Sequence, residues 1–132
     1  MVHEALYLPG APHKNPVPAV SIAGNILCSG VISGKDAQGD LPEGLDAQVD
    51  RMFDNLVQVV EHAGASMGDI VRLNLWLVDP ADRRAINARW LALFPDPGHQ
   101  PSRVSMPAHL DGGKLVQCDF MAVLGGSRDE GQ

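Results

Sequence analysis

The segment QPSRVSMPAHLDGGKLVQCDF, residues 100–120, sets Arg103 near the start of an otherwise apolar extended run and Gln117 and Asp119 in the run that follows. A guanidinium is a permanent cation with a rigid fork of donors. A carboxylate such as Asp119 can carry a proton, whereas the Gln117 amide can orient water by hydrogen bonding but cannot accept one as a base. His109, at the end of the first run, has an imidazole whose unperturbed pKa suits proton transfer near neutrality. Each also has an ordinary reading. A lone strand arginine commonly makes a structural ion pair or lies at the surface, Gln117 and Asp119 read equally as polar strand residues at a contact, and His109 as a loop residue.

Other chemistries find no support. The five histidines show no two-turn helical pairing and no acidic residue at metal-ligand spacing, so a metal site is not expected. GVISGKDAQGD contains glycines, but no Gly-Lys-Ser or Gly-Lys-Thr follows, and no serine nucleophile elbow is present. The net charge of -6 and pI near 5.1 give an acidic field without a basic block, which argues against nucleic acid as a partner. MVHEALYLPGAPHKNPVP has no basic stretch leading into an apolar core, and no apolar run approaches the ~20 residues of a membrane span. The expected location is the cytosol. Cys28 and Cys118 lie inside apolar runs and are expected as buried, reduced thiols.

The elements that must position these residues follow from periodicity. At 132 residues the chain has the size of one domain, expected over 1–132. Pro9 to Pro18 reads as an irregular lead-in. Ala19 to Ala23 and Ile26 to Ile32 flank a Gly-Asn pair suited to a tight hairpin turn. Val49, Met52, Phe53, Leu56, Val60 and Ala63 recur at three and four, which predicts an amphipathic helix from Leu45 to Ala63 that Gly64 ends. IVRLNLWLVD alternates, with Val71, Leu73, Leu75 and Leu77 on one face and Arg72, Asn74 and Trp76 on the other. Asp79-Pro80 reads as the start of a second helix with Ile86, Trp90, Leu93 and Phe94 as its stripe, stopped by Pro95 and Pro97. Ser102 to His109 and Lys114 to Leu124 complete the strands, joined by a turn through DGG, and the tail GGSRDEGQ is expected to fray.

This order predicts an α+β layer, one sheet with two helices packed on one face. Val116, Cys118, Phe120 and Ala122 form the side fit for the helices, while Leu115, Gln117, Asp119 and Met121 point away. That second face mixes apolar and polar groups, so another copy of the chain is expected to cover it.

Four stretches, GNILCSGVIS, QVDRMFDNLVQVVEHAGASMGDIVRLNLWLVDPADRRAINARWLALFP, PSRV and LDGGKLVQCDFMAV, stand in the order and spacing of the RidA (YjgF) family, which the chain resembles over nearly its whole length. The resemblance implies a chorismate-mutase-like fold with a mixed sheet, assembled as a homotrimer with clefts between subunits. It implies hydrolysis of reactive enamines and imines, such as 2-aminoacrylate, to a 2-keto acid and ammonia, without cofactor or metal. Carried over by position, it implies that Arg103 binds the substrate carboxylate. A guanidinium suits that role because it grips a planar carboxylate through two parallel hydrogen bonds. Asn87 corresponds to the family's asparagine in the second helix. Ser29, Gly30 and Val31 correspond to the backbone wall of the cleft, with a further backbone contact at Ser105.

Two positions depart from the pattern. Gln117 stands where a glutamate is expected to position water and move its proton, and Val17 where a tyrosine often closes the cleft. Asp119, roughly 6 to 7 Å further along the strand, and His109 are the reserve proton carriers. Two expectations result: a deaminase of a small 2-imino acid with an atypical site, or a non-catalytic protein that binds a 2-keto acid or another small carboxylate. Ribonuclease activity has been attached to proteins resembling this family, and the acidic charge counts against it here.

Overall fold

The computed structural model describes residues 3–7, 17–81 and 83–125. The proline-rich lead-in before Val17 and the tail from Gly126 lie outside the described residues. The strands are β1 (His3–Leu6), β2 (Val20–Ala23), β3 (Ile26–Ser29), β4 (Ile32–Ser33), β5 (Ile70–Leu77), β6 (Ser102–Pro107) and β7 (Val116–Val123), and the helices are α1 (Leu45–His62) and α2 (Arg84–Leu93). They form one mixed sheet in the order β1-β2-β3-β7-β5-β6, with β4 also paired to β7. Only β5 and β6 run parallel, joined through α2, which is the connection a parallel pair needs.

The hairpin at Gly24-Asn25 forms, and Gly24 alone takes positive φ, 62°, the pattern of a type II′ turn. α1 buries Val49, Met52, Phe53, Leu56 and Val60 as its spacing predicts, against Leu73, Leu75 and Leu77 of β5 and Val116, Cys118, Phe120 and Ala122 of β7. Each such large apolar side chain contributes about 1.5–3 kcal/mol by burial. α1 ends in a Schellman arrangement: Gly64, φ 78°, donates to the Glu61 carbonyl and Ala65 to the Val60 carbonyl. Gln48 is the one buried polar side chain among the described core residues. Its Nε2 donates to the Pro42 and Gly113 carbonyls and its Oε1 accepts from the Leu115 amide, pinning the start of α1 to the approach of β7.

Four expectations change. β1 was not anticipated; four exposed or half-exposed residues at a sheet edge leave no alternation to read. Val71 leaves the inner face: a β-bulge between Ile70 and Arg72 turns it outward and gives its core position to Ile70. α2 begins at Arg84 rather than after Asp79, because the Asp79 carboxylate accepts from the Ala81 amide and closes a turn of its own. Cys118 is buried, whereas Cys28 is exposed on the outer face of β3, where a one-residue alternation decides which way each side chain points.

Candidate functional site

Arg103 sits on the edge strand β6, in register with Leu73. Its side chain therefore lies on the helix-covered side. There its guanidinium carbon stands 5.2 Å from the centroid of the Trp90 ring. Trp90 is itself buried in the core and leans on Phe94, centroids 4.9 Å apart. A cation over an indole face is held by the ring quadrupole and is partly desolvated. Burial first, and then the charge of Arg83, lower the Arg103 pKa from its usual value. Among the described residues no carboxylate pairs with this guanidinium and its donors make no hydrogen bond. Ser105 follows two residues on along the same side of β6, half-buried. Asn87 is exposed on α2, four residues after Arg83 and three before Trp90, which aligns all three along one side of the helix.

A second group gathers on the opposite face. Gln117 pairs in register with Ser33 on one side and Trp76 on the other, and Asp119 with Asn74. Gln117 is half-buried, and its amide makes no hydrogen bond among the described residues. Asp119 is fully engaged: one carboxylate oxygen accepts from Asn74 Nδ2 and the other from Trp76 Nε1, both at 2.8 Å. Beside them, Ser29 Oγ accepts from the Phe120 amide at 2.9 Å and donates to the Gly30 carbonyl at 2.8 Å. The Gly30 amide donates to the Ala19 carbonyl, and a Cβ at Gly30 would come within 3.2 Å of the Pro18 carbonyl oxygen. Residues 17–19 and 29–31 thus run side by side, with Val17 and Val31 exposed at their ends. The same face carries a concavity of about 390 Å³ lined by Cys28, Ser29, Arg72, Asn74, Asp119 and Met121.

The sequence-derived candidates therefore fall into two sets. Arg103, Ser105 and Asn87 belong to the β6–α2 side. Val17, Ser29, Gly30, Val31, Gln117 and Asp119 belong to the β3–β4–β7 side. Arg103 and Gln117 occupy opposite faces with β5 between their strands, and two strand spacings and three residues of offset put their Cα atoms roughly 14 Å apart. His109 is exposed beyond the end of β6 and hydrogen bonds to neither set. Sequence reasoning gave Trp90 only a core position. A helix tryptophan meeting a strand arginine across a parallel crossover leaves no local spacing to detect. Likewise Asn74 and Trp76 were read as one strand face without the carboxylate that joins them.

Among the described residues no three His, Cys, Asp or Glu side chains gather as metal ligands. Among the described residues no helix is long and apolar enough to cross a membrane.

The family model described as endoribonuclease L-PSP matches residues 10–123. The mitochondrial protein mmf2 of Schizosaccharomyces pombe is 31% identical over 115 residues, covering 83% of this chain and 86% of that protein. A protein of Escherichia coli K12 named 2-iminobutanoate/2-iminopropanoate deaminase is 33% identical over 78 residues, 59% of this chain and 61% of its own length. The crystal structure of RidA from an Antarctic Psychrobacter superposes with a TM-score of 0.83 at 25% identity, covering 92% of this chain and 99% of that one.

Proposed function

This chain belongs to the endoribonuclease L-PSP family, the YjgF/RidA family, and from that premise we propose that it is a cofactor-independent deaminase hydrolysing a small 2-imino acid to a 2-keto acid and ammonia. The observation that carries the reading is the Arg103 guanidinium, set on the Trp90 ring with no carboxylate partner among the described residues. A half-buried cation in that state favours an anion from outside, and its fork matches a carboxylate. The name of the Escherichia coli relative supports an imino acid as the molecule that bears it.

In the proposed reaction Arg103 fixes the carboxylate and so the adjacent imine carbon. Water adds to that carbon, forming a C–O bond as the C=N π pair moves to nitrogen. The hydroxyl proton of the adduct then passes to that nitrogen, the C–N bond breaks with its pair leaving on nitrogen, and the oxygen closes the carbonyl, leaving the keto acid and ammonia. Gln117 orients the water. An amide is no base, so the proton lost by water is taken by the substrate's own nitrogen. General acid-base help ordinarily contributes 10²- to 10⁴-fold, so turnover is expected to be slow by that factor.

The two sets of residues are proposed to meet between copies of the chain, in a homotrimer with one cleft per contact. Their placement on opposite faces supports this, as do Ile26, Val71, Met121 and Val123, which leave the outer face 38% to 49% exposed at apolar positions.

The test generates 2-iminopropionate from alanine with an amino-acid oxidase and follows its decay. The protein is expected to accelerate decay, Arg103→Ala to lose about a hundredfold of that effect, and Gln117→Glu to gain 10²- to 10⁴-fold. No acceleration, or an Arg103→Ala protein equal to wild type, overturns the reading.

Gln117 itself favours a second reading, a non-catalytic protein that binds 2-keto acids through Arg103. It requires keto acids to raise the melting temperature while turnover appears only after Gln117→Glu. Ribonuclease action finds no support in a chain of net charge -6.

A further inference from the structure

We propose that the concavity of the outer sheet face, on the opposite side of the sheet from Arg103, binds a small zwitterion, an α-amino acid with a short apolar side chain. Arg72 takes its carboxylate and Asp119 its ammonium group. The inference goes beyond the deaminase reading and does not rest on it.

Three paired strands bring the contributing groups together. Met121 of β7 stands in register with Cys28 of β3 on one side and with Arg72 of β5 on the other, and two residues along β7 Asp119 is paired with Asn74. Val71, turned outward by the bulge, joins them. All six line the concavity of about 390 Å³, a volume within the range of small-molecule sites. Arg72 and Asp119 lie on its diagonal, with Cα atoms about 7–8 Å apart.

The charges on that diagonal are opposite, and the two side chains do not pair with each other. Asp119 turns one oxygen to Asn74 Nδ2 and the other to Trp76 Nε1. Both donors are neutral, so they fix the carboxylate without cancelling its charge, and each oxygen keeps a lone pair for a further contact. Arg72 is exposed, and among the described residues it makes neither an ion pair nor a hydrogen bond. Asn74 gives an amide hydrogen to Asp119 and offers its carbonyl oxygen as an acceptor beside it. An ammonium group held by Asp119 and Asn74 and a carboxylate held by Arg72 satisfy both poles with one molecule. A lone anion gains from Arg72 but is repelled by Asp119, and a lone cation meets the reverse, so each gains less. The exposed apolar side chains of Val71 and Met121 supply the surface for a short aliphatic side chain. Copies of the chain meeting on this face would close the concavity over its ligand and, by excluding water, strengthen both charge contacts.

The test is calorimetric titration of the full-length chain with L-2-aminobutyrate and L-valine, in wild type and in Arg103→Ala, which lacks the proposed carboxylate anchor. Both proteins should bind the amino acids with the same Kd. In Arg103→Ala, butanoate, which lacks the ammonium group, and propylamine, which lacks the carboxylate, are expected to bind about fivefold more weakly than the amino acids, the scale of one partly exposed charge contact. Arg72→Ala and Asp119→Asn should each weaken amino-acid binding by a similar factor, and Arg72→Lys should restore part of the loss. Arg72→Ala changes an exposed position and should melt as wild type does. No saturable binding of either amino acid, a single-charge analogue that binds as tightly, an Arg72→Ala or Asp119→Asn protein that binds as wild type does, or loss of binding in Arg103→Ala overturns the inference. None of these outcomes decides the imine assay.

Discussion

Strands β5 and β7 supply both faces of the sheet centre, and the two faces are organised by different rules. On the helix side Leu73, Leu75, Leu77, Val116, Cys118 and Ala122 are wholly buried, and every neighbour they need is in the same chain. On the other side Asn74, Trp76 and Asp119 satisfy one another through two hydrogen bonds, while Val71 and Met121 stand 45% and 41% exposed around them. The first face gains its free energy when the chain folds. The second holds its polar groups in place in advance and leaves its apolar positions partly exposed. The contrast teaches that polar residues in a strand need not mean a wet surface. Here they form a fixed frame around apolar positions.

The largest expected effect lies on the covered face. Leu75→Ala should cost about 2–5 kcal/mol in urea unfolding, from lost burial plus a cavity. Met121→Ala should stay within about 1 kcal/mol in dilute protein, yet weaken self-association in sedimentation. A loss at Met121 equal to that at Leu75 would erase the distinction between the faces. Next comes the polar frame. Asp119→Ala strands the Trp76 and Asn74 donors and should cost about 1–3 kcal/mol, with Trp76 fluorescence shifting in the folded protein. An unchanged stability and spectrum would mean the frame is not pre-set.

Smaller still is the alkaline response. Burial, and then the neighbouring Asp119 charge, push the Cys118 thiol well up from its ordinary value. A thiol raised in this way gives stability that is complete below the unfolded thiol's pKa and lost as pH rises beyond it, at up to about 1.4 kcal/mol per pH unit. Cys118→Ala should flatten alkaline unfolding curves and Cys28→Ala should not. The reverse result would exchange the two faces. The smallest effect belongs to the loops. The Gly98 amide and His99 hold Asp96 below the usual carboxylate range, and Lys114 does the same for Asp111. With folded pKa values depressed, their contribution is present above the unfolded carboxylate range and lost as pH falls through the folded values. Asp96→Asn should slightly soften acid melting followed from about pH 5 to about pH 2. A large change there would move the acid-sensitive element away from both faces.

Much of this was legible in the chain. The three-four spacing of α1 and the alternation of β7 are local patterns, and a helix or strand that buries one side must show them. The bulge at Val71 was not legible, since an extra residue looks like one more step of alternation. Nor was β6 beside β5 in parallel, because the pairing is set by the crossover through α2 rather than by a turn. The placement of Arg103 and Gln117 on opposite faces was half legible: alternation in β7 sets Gln117 on the face away from the helices, while the face of Arg103 follows only from the register of β6 on β5. The resemblance identified the candidate positions, while the departures at Gln117 and Val17 were plain from the letters alone.

Trp90 serves two masters: it closes the core against Phe94 and its ring also carries Arg103. If Arg103 holds a carboxylate as proposed, binding and folding draw on one indole. A carboxylate that steadies Arg103 also steadies the seam between α2 and the edge of the sheet, so ligand occupancy should be readable as resistance to unfolding that grows with the logarithm of ligand concentration. By the same linkage, no substitution at Trp90 can retune the affinity of that corner without also altering how firmly the second helix is held.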